Sequence, residues 1–177
     1  MTQVPTSQPA TPTPSAAAPS PTEAATESAP SSPSAPPVPG PCDPSSLTVR
    51  VTGWTGAAGH RIASVELLNA GTAPCQLFAL ARPQLVDAQG AILIDGAPPG
   101  ASEALEIGPG GILTTEVQDS NYCGPEPAQP VTVAFVFPLG LGRVIAAPDS
   151  TNSPDGLPPC NGPVGSAGII EMHPWQP

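Results

Sequence analysis

The chain is 177 residues long with 29 Pro and 18 Gly, and its 14 acidic residues stand against four arginines and no lysine, a net charge of −10. Nucleic acid and anionic membrane surfaces both reward clustered Lys and Arg, so this balance disfavours binding to either. No run approaches the roughly 18 apolar residues of a membrane-spanning helix. Pro plus Gly above a quarter of the chain points to a low-complexity segment, a turn-rich β domain, or both.

Residues 1–41 hold 12 of the prolines, no aromatic residue and two charges, Glu23 and Glu27. Such a segment buries too little apolar area to offset chain entropy, so the expectation is a disordered Pro/Ser/Thr/Ala-rich tether with polyproline bias. No basic stretch followed by an apolar run opens the chain after Met1. A tract of this kind is what a chain shows once a signal segment is removed, so trimming is the expectation here, and any membrane attachment is expected through an N-terminal anchor not present in this sequence.

Composition shifts at Cys42, and residues 42–177 suffice for one domain. Leu47, Val49 and Val51 alternate with Thr48, Arg50 and Thr52, and Ala63, Val65 and Leu67 with Ser64, Glu66 and Leu68. Weaker strand candidates follow at 76–87, 90–95 and 102–107. Leu113, Thr115 and Val117 then alternate with Thr114, Glu116 and Gln118, and Val131, Val133, Phe135 and Phe137 with Thr132, Ala134 and Val136. The last candidates are 143–147 and 167–172. Neighbouring side chains on a strand face opposite ways, so each clear run predicts one core face and one wetter face. Turn signals separate the runs at Asp87-Ala88-Gln89-Gly90, Gly108-Pro109-Gly110-Gly111 and Pro138-Leu139-Gly140-Leu141-Gly142. The pattern predicts an all-β fold, an antiparallel β-sandwich of immunoglobulin-like architecture with about eight or nine strands.

Cys42, Cys75, Cys123 and Cys160 form no C-x-x-C pair, and His60 and His173 are the only histidines. A zinc site of standard spacing is therefore not expected, and two disulfides in an oxidising compartment are. Strand parity selects among the three pairings. Cys42 precedes the first strand and Cys75 follows the second, so an up-and-down pair leaves both at one end of the sandwich. An even number of crossings likewise separates Cys123 from Cys160. The preferred connectivity is Cys42–Cys75 and Cys123–Cys160, each closing a loop whose chain entropy corresponds to about 3–4 kcal/mol. Within Leu67-Leu68-Asn69-Ala70-Gly71-Thr72-Ala73-Pro74-Cys75-Gln76-Leu77, Asn69 and Gly71 are expected to supply backbone freedom for a turn that Pro74 limits.

That stretch, with Gly56-Ala57-Ala58-Gly59-His60 before it, Pro83, Leu85-Val86-Asp87 and Gly90 after it, then Gly108-Pro109-Gly110, Asn121-Tyr122-Cys123-Gly124 and Pro159-Cys160-Asn161, resembles the secreted actinobacterial family of domain of unknown function 4232. The resemblance covers about residues 42–173. It implies a β-sandwich exported on a low-complexity tether, often as a lipoprotein, and it brings no catalytic residue with it. Tyr122 stands where members often carry Trp.

Candidate sites compete with plainer uses of the same residues. His60, beside a turn, has no second ligand at metal spacing; with Met172 and His173 it would make a copper site only if the two regions met. Glu103 and Glu106 allow paired-carboxylate chemistry or a solvated edge. Asp87, Asp95 and Asp155 are too scattered for a calcium loop, and Ser166 lies in a small-residue turn rather than a nucleophile elbow. Trp54, just after the first strand, either anchors a binding surface or caps the core, and Trp175, beside the C-terminus, either serves as an anchor or frays; of the two, Trp54 is kept as the candidate binding surface.

The expectation is a non-catalytic, extracytoplasmic β-sandwich module tethered at the cell surface, needing no cofactor or metal and binding a protein or cell-envelope component. Its rivals are a hydrolase with a loop-borne site and a copper-handling protein.

Overall fold

The alternating runs fold as strands whose apolar sets face one core. The structure is a computed structural model describing residues 38–149 and 156–177; most of the expected tether, and Asp155, lie outside the described residues. Among the described residues the strands are β1 (Leu47–Ala57), β2 (His60–Asn69), β3 (Cys75–Phe78), β4 (Arg82–Val86), β5 (Ile92–Asp95), β6 (Ala104–Ile107), β7 (Ile112–Ser120), β8 (Thr132–Phe137), β9 (Gly142–Ile145) and β10 (Ile169–Met172). They form two antiparallel four-stranded sheets, ordered β1-β2-β7-β10 and β5-β4-β8-β9, and a β3-β6 ribbon.

The core lies between the sheets. Val49, Val51, Val65, Leu67, Leu113 and Val117 face Leu85, Ile94, Val133, Phe135 and Phe137, and Leu77 and Ile107 join them from the ribbon. One side is closed by the chain after β9: Val51 N donates to Ala147 O at 2.9 Å and Ala147 N to Val49 O at 2.8 Å. On the other side Gln176 exchanges both backbone bonds with Thr114, at 2.7 and 2.9 Å. Both closures cover strand edges that would otherwise offer unpaired donors and acceptors.

The expected strand at 76–87 is two strands. Leu77, Ala79, Ala81 and Leu85 are all buried, so the inward period runs unbroken, but the partner changes from β6 to β8. At the switch Ala79 N donates to Glu103 O and Ala79 O accepts from Trp175 N, both at 2.8 Å. Periodicity reports which way a side chain faces and is silent on which strand lies beside it.

Trp54 is a core residue, 8% exposed, and not a surface anchor. The β1–β2 register shifts between Val51 and Gly53, leaving two residues of β1 opposite one of β2. Such a bulge reverses the phase of alternation, so Trp54 points inward beside Ala63 where an unbroken strand would turn it out. Gly156 seals the ring from outside: a Cβ there would stand 2.6 Å from Trp54 Cζ2. Trp175 is equally far from fraying. It is 2% exposed and packs against Phe135 with ring centroids 5.0 Å apart.

The disulfides join Cys42 to Cys75 and Cys123 to Cys160, with Cα atoms 4.8 Å apart in each. Chain pairing begins slightly before the composition shift, since Gly40 O already accepts from Gln76 N at 2.8 Å.

Asn69, in contrast to its expected role, frees nothing. It is 1% exposed at the end of β2, its Nδ2 donates to Ala73 O, Ile107 O and Gly108 O at 3.0–3.3 Å, and its Oδ1 accepts from Gly71 N at 2.9 Å. Gly71 is needed for close approach: a Cβ there would lie 3.0 Å from Asn69 Oδ1 and 3.2 Å from Ser46 Cβ. Asn69→Ala leaves several buried backbone groups unpaired at once, so it should lower stability by about 2–4 kcal/mol with both disulfides intact. Urea denaturation of the oxidised protein checks this, and a loss below about 0.5 kcal/mol would contradict it.

Candidate functional site

The period-two pattern that builds the core also sends an ionisable side chain inward. Continuing Leu113, Thr115 and Val117 places Asp119 on the core side of β7, where it is 1% exposed and lies in register with Arg61 of β2 and Ile170 of β10. Neither carboxylate oxygen makes a full hydrogen bond among the described residues, although the Arg61 backbone N–H lies near enough to act on the charge. Loss of hydration pushes the carboxyl up to about 8; the Arg61 backbone N–H and the Arg61 charge oppose the shift without cancelling it. Asp119 was not singled out from sequence, although its place in the alternation identifies it.

On the opposite, solvent-facing side of the same sheet, Ser64, Glu66, Thr114, Glu116 and His173 line a cleft of about 330 Å³. Ser64 lies opposite Glu116 in the β2–β7 register, and His173 is held alongside by its N–H to Glu116 O at 2.9 Å and by Thr115 Oγ1 donating to His173 O at 2.6 Å. Glu66 accepts from Arg50 at 2.9 Å. The side chains of Ser64, Glu116 and His173 share no hydrogen bond among the described residues.

A second cleft, of about 470 Å³, opens where β3 and β8 end and β4 begins. Phe78, Pro98, Pro99, Val136, Phe137 and Leu139 give it apolar walls, and Arg82 is its charged member. Leu139 is 82% exposed and adopts φ 60, ψ 22, in the left-handed region that costs a non-glycine residue about 1 kcal/mol. A third cleft, of about 670 Å³, has Asp87, Tyr122, Glu126 and Ser166 in its wall.

The structure separates most of the residues considered from sequence. His60 pairs with Ser120 and His173 with Glu116, four positions along β7, or roughly 13 Å at strand rise. Met172 is turned inward, its Sδ accepting from Ala81 N at 3.3 Å. Asp87 Oδ1 closes its own turn by accepting from Gln89 N and Ala91 N, whereas Asp95 accepts from Gln84 and Arg82. Glu103 and Glu106 are exposed on and beside β6. No group of three or more His, Cys, Asp or Glu side chains suited to a metal ion occurs among the described residues. Missed from sequence were Arg82 and Leu139; the Pro-Leu-Gly-Leu-Gly turn marked the position of Leu139 without its exposure.

Between about pH 4 and pH 8 the folded protein holds a proton on Asp119 that the unfolded chain releases, so stability should fall as pH rises through this window and level off above it. Asp119→Asn should remove that slope and stabilise the protein at pH 8.5 relative to wild type by on the order of a few kcal/mol. Urea midpoints of the two proteins at pH 5 and pH 8.5 check it, and parallel pH profiles would contradict it.

No curated protein and no solved structure matches the chain. The family model described as domain of unknown function (DUF4232) matches residues 42–176, from the first cysteine to one residue short of the C-terminus, and the chain belongs to that family.

Proposed function

We propose that this protein is a non-catalytic, extracytoplasmic β-sandwich module, carried at the cell surface on its Pro-rich N-terminal segment, that binds a protein or cell-envelope partner. Two disulfides with no free cysteine support the compartment, because such bonds persist where the surroundings are oxidising. The observation that carries the binding role is Leu139. Leu139 holds a large apolar side chain 82% exposed, in a left-handed conformation and beside an apolar cleft. Strain of this kind persists where the surroundings fix it, and it marks sites of use. The binding surface is then the end of the domain formed by Phe78, the 98–102 segment and Leu139.

Oxidised protein should co-sediment saturably with isolated envelopes of the producing cell, and Leu139→Asp should weaken this about tenfold or more with the urea midpoint unchanged. Equal sedimentation of the two proteins, or none of either, would refute the reading.

The cleft shared by Ser64, Glu116 and His173 favours a second reading, a hydrolase. Under it the protein turns over a simple ester substrate, and His173→Ala lowers the rate by at least about a hundredfold. A rate equal to that of buffer, or one unchanged by His173→Ala, removes it.

A further inference from the structure

The apolar cleft at the Leu139 end is closed by a charge of the opposite sign to the protein. We propose that it binds a small amphiphilic carboxylate, a single apolar chain or ring ending in one carboxyl group, with Arg82 receiving the carboxylate. The proposal rests on the reading of this end of the domain as its binding surface.

Three observations carry it. At about 470 Å³ the cleft falls in the range of small-molecule sites, which combine mostly apolar walls with a few polar groups that fix orientation. Its charge is also unlike that of its neighbours. Arg82 lines it and no acidic residue does, the carboxylate of Asp95 meeting Arg82 from outside the lining, whereas the cleft at His173 contains Glu66 and Glu116 and the cleft at Tyr122 contains Asp87 and Glu126. In a chain with 14 acids and four arginines, a cleft walled by a cation and no acid matches an anionic ligand by charge.

The third observation is how Arg82 is held. Its Nη1 donates to Asp95 Oδ2 at 3.4 Å, the long edge of hydrogen-bonding range, with both side chains partly exposed. Asp95 is anchored independently by Gln84 Nε2, which donates to Oδ1 at 2.8 Å. Asp95 therefore keeps its place when Arg82 turns to a ligand. A guanidinium has five donors in a planar fork that a carboxylate meets with two parallel bonds, a stronger arrangement than one long contact. The apolar body then lies against Phe78, Val136 and Leu139, and the bound molecule covers Leu139.

The experiment titrates the oxidised full chain by calorimetry with dodecanoate, dodecanol and dodecylammonium, each kept below its aggregation concentration. Dodecanoate should bind saturably at one site, at least about tenfold tighter than dodecanol, with dodecylammonium weaker still. Arg82→Gln should cost dodecanoate about tenfold and leave dodecanol unchanged, and Arg82→Lys should fall between because it keeps the charge without the fork. Asp95→Asn removes the competing carboxylate and should tighten dodecanoate about threefold, while Asp87→Asn, the same change of charge in another cleft, should not. Urea midpoints confirm that each variant is folded. Equal affinity for dodecanoate and dodecanol, no binding of any of the three, or indifference to Arg82→Gln overturns the proposal. Envelope binding that is lost in Leu139→Asp yet unchanged in Arg82→Gln would end this proposal and leave the binding reading standing.

Discussion

The buried amide of Asn69 ties together parts of the fold that strand pairing leaves apart. The β3-β6 ribbon exchanges ladder bonds with neither sheet. Its position at the start of β3 is fixed where the side chain of Asn69 reaches Ala73 O and Gly71 N on one turn and Ile107 O and Gly108 O on the other. The backbone of the same residue adds bonds to Gly110 and Gly111, and the Cys42–Cys75 disulfide fastens the chain beside it. At the far end of the ribbon the Ala79 carbonyl accepts from Trp175. Phe78 and the segment leading into β6 form walls of the apolar cleft, so that cleft takes its shape from a ribbon pinned at both ends. A polar residue at the core edge thus acts at a distance on the proposed binding surface, because a satisfied buried amide is rigid and an unsatisfied one is costly.

Burial of the two tryptophans follows a related logic. Trp54 and Trp175 are the bulkiest side chains in the protein, and each is brought inside by a device other than plain alternation. The bulge before Trp54 turns it over, and the return of the C-terminal segment to pair with Thr114 carries Trp175 against Phe135. The core is therefore filled from its margins, by a strand irregularity and by a chain end, in a domain with few aromatic residues to spare.

What the sequence made legible is what depends on neighbours along the chain. The inward sets at 47–51, 63–67, 113–117 and 131–137 are all buried, because facing depends on a two-residue period and nothing else. The disulfide pairing could be read for the same reason, since counting strand crossings needs no knowledge of which strands pair. The irregular positions were not legible. A bulge inserts one residue without a sequence mark, so Trp54 stayed open between a surface anchor and a cap on the core, and a change of partner inside an unbroken period fused β3 with β4. Asn69 read as a turn former because Asn and Gly commonly serve so, and its three carbonyl acceptors lie up to 39 residues away. Arg82 carried no motif at all; its surroundings come from β3, the 98–102 segment and the end of β8.

The scarcity of cations gives the placement of each one weight. Arg50 lies against Glu66 on the solvent-facing side of the first sheet, Arg61 stands opposite Asp119 in the β2–β7 register with its Nη1 donating to His60 O at 3.4 Å, and Arg143 donates to the Gly90 carbonyl at 3.3 Å. Arg82 differs in opening onto an apolar cleft. A net charge of −10 repels anions over the length at which salt leaves charges unscreened, roughly 8–10 Å, so the protein as a whole gains nothing by attracting them. Selectivity for an anion in such a field has to arise at contact, from a fork of donors at the edge of a dry wall, where Coulomb interactions strengthen as water is displaced. The same field turns away anions that cannot also fill the apolar part of the cleft. Net charge and local charge of opposite sign then act together, the first against small inorganic anions and the second in favour of an anion with an apolar body.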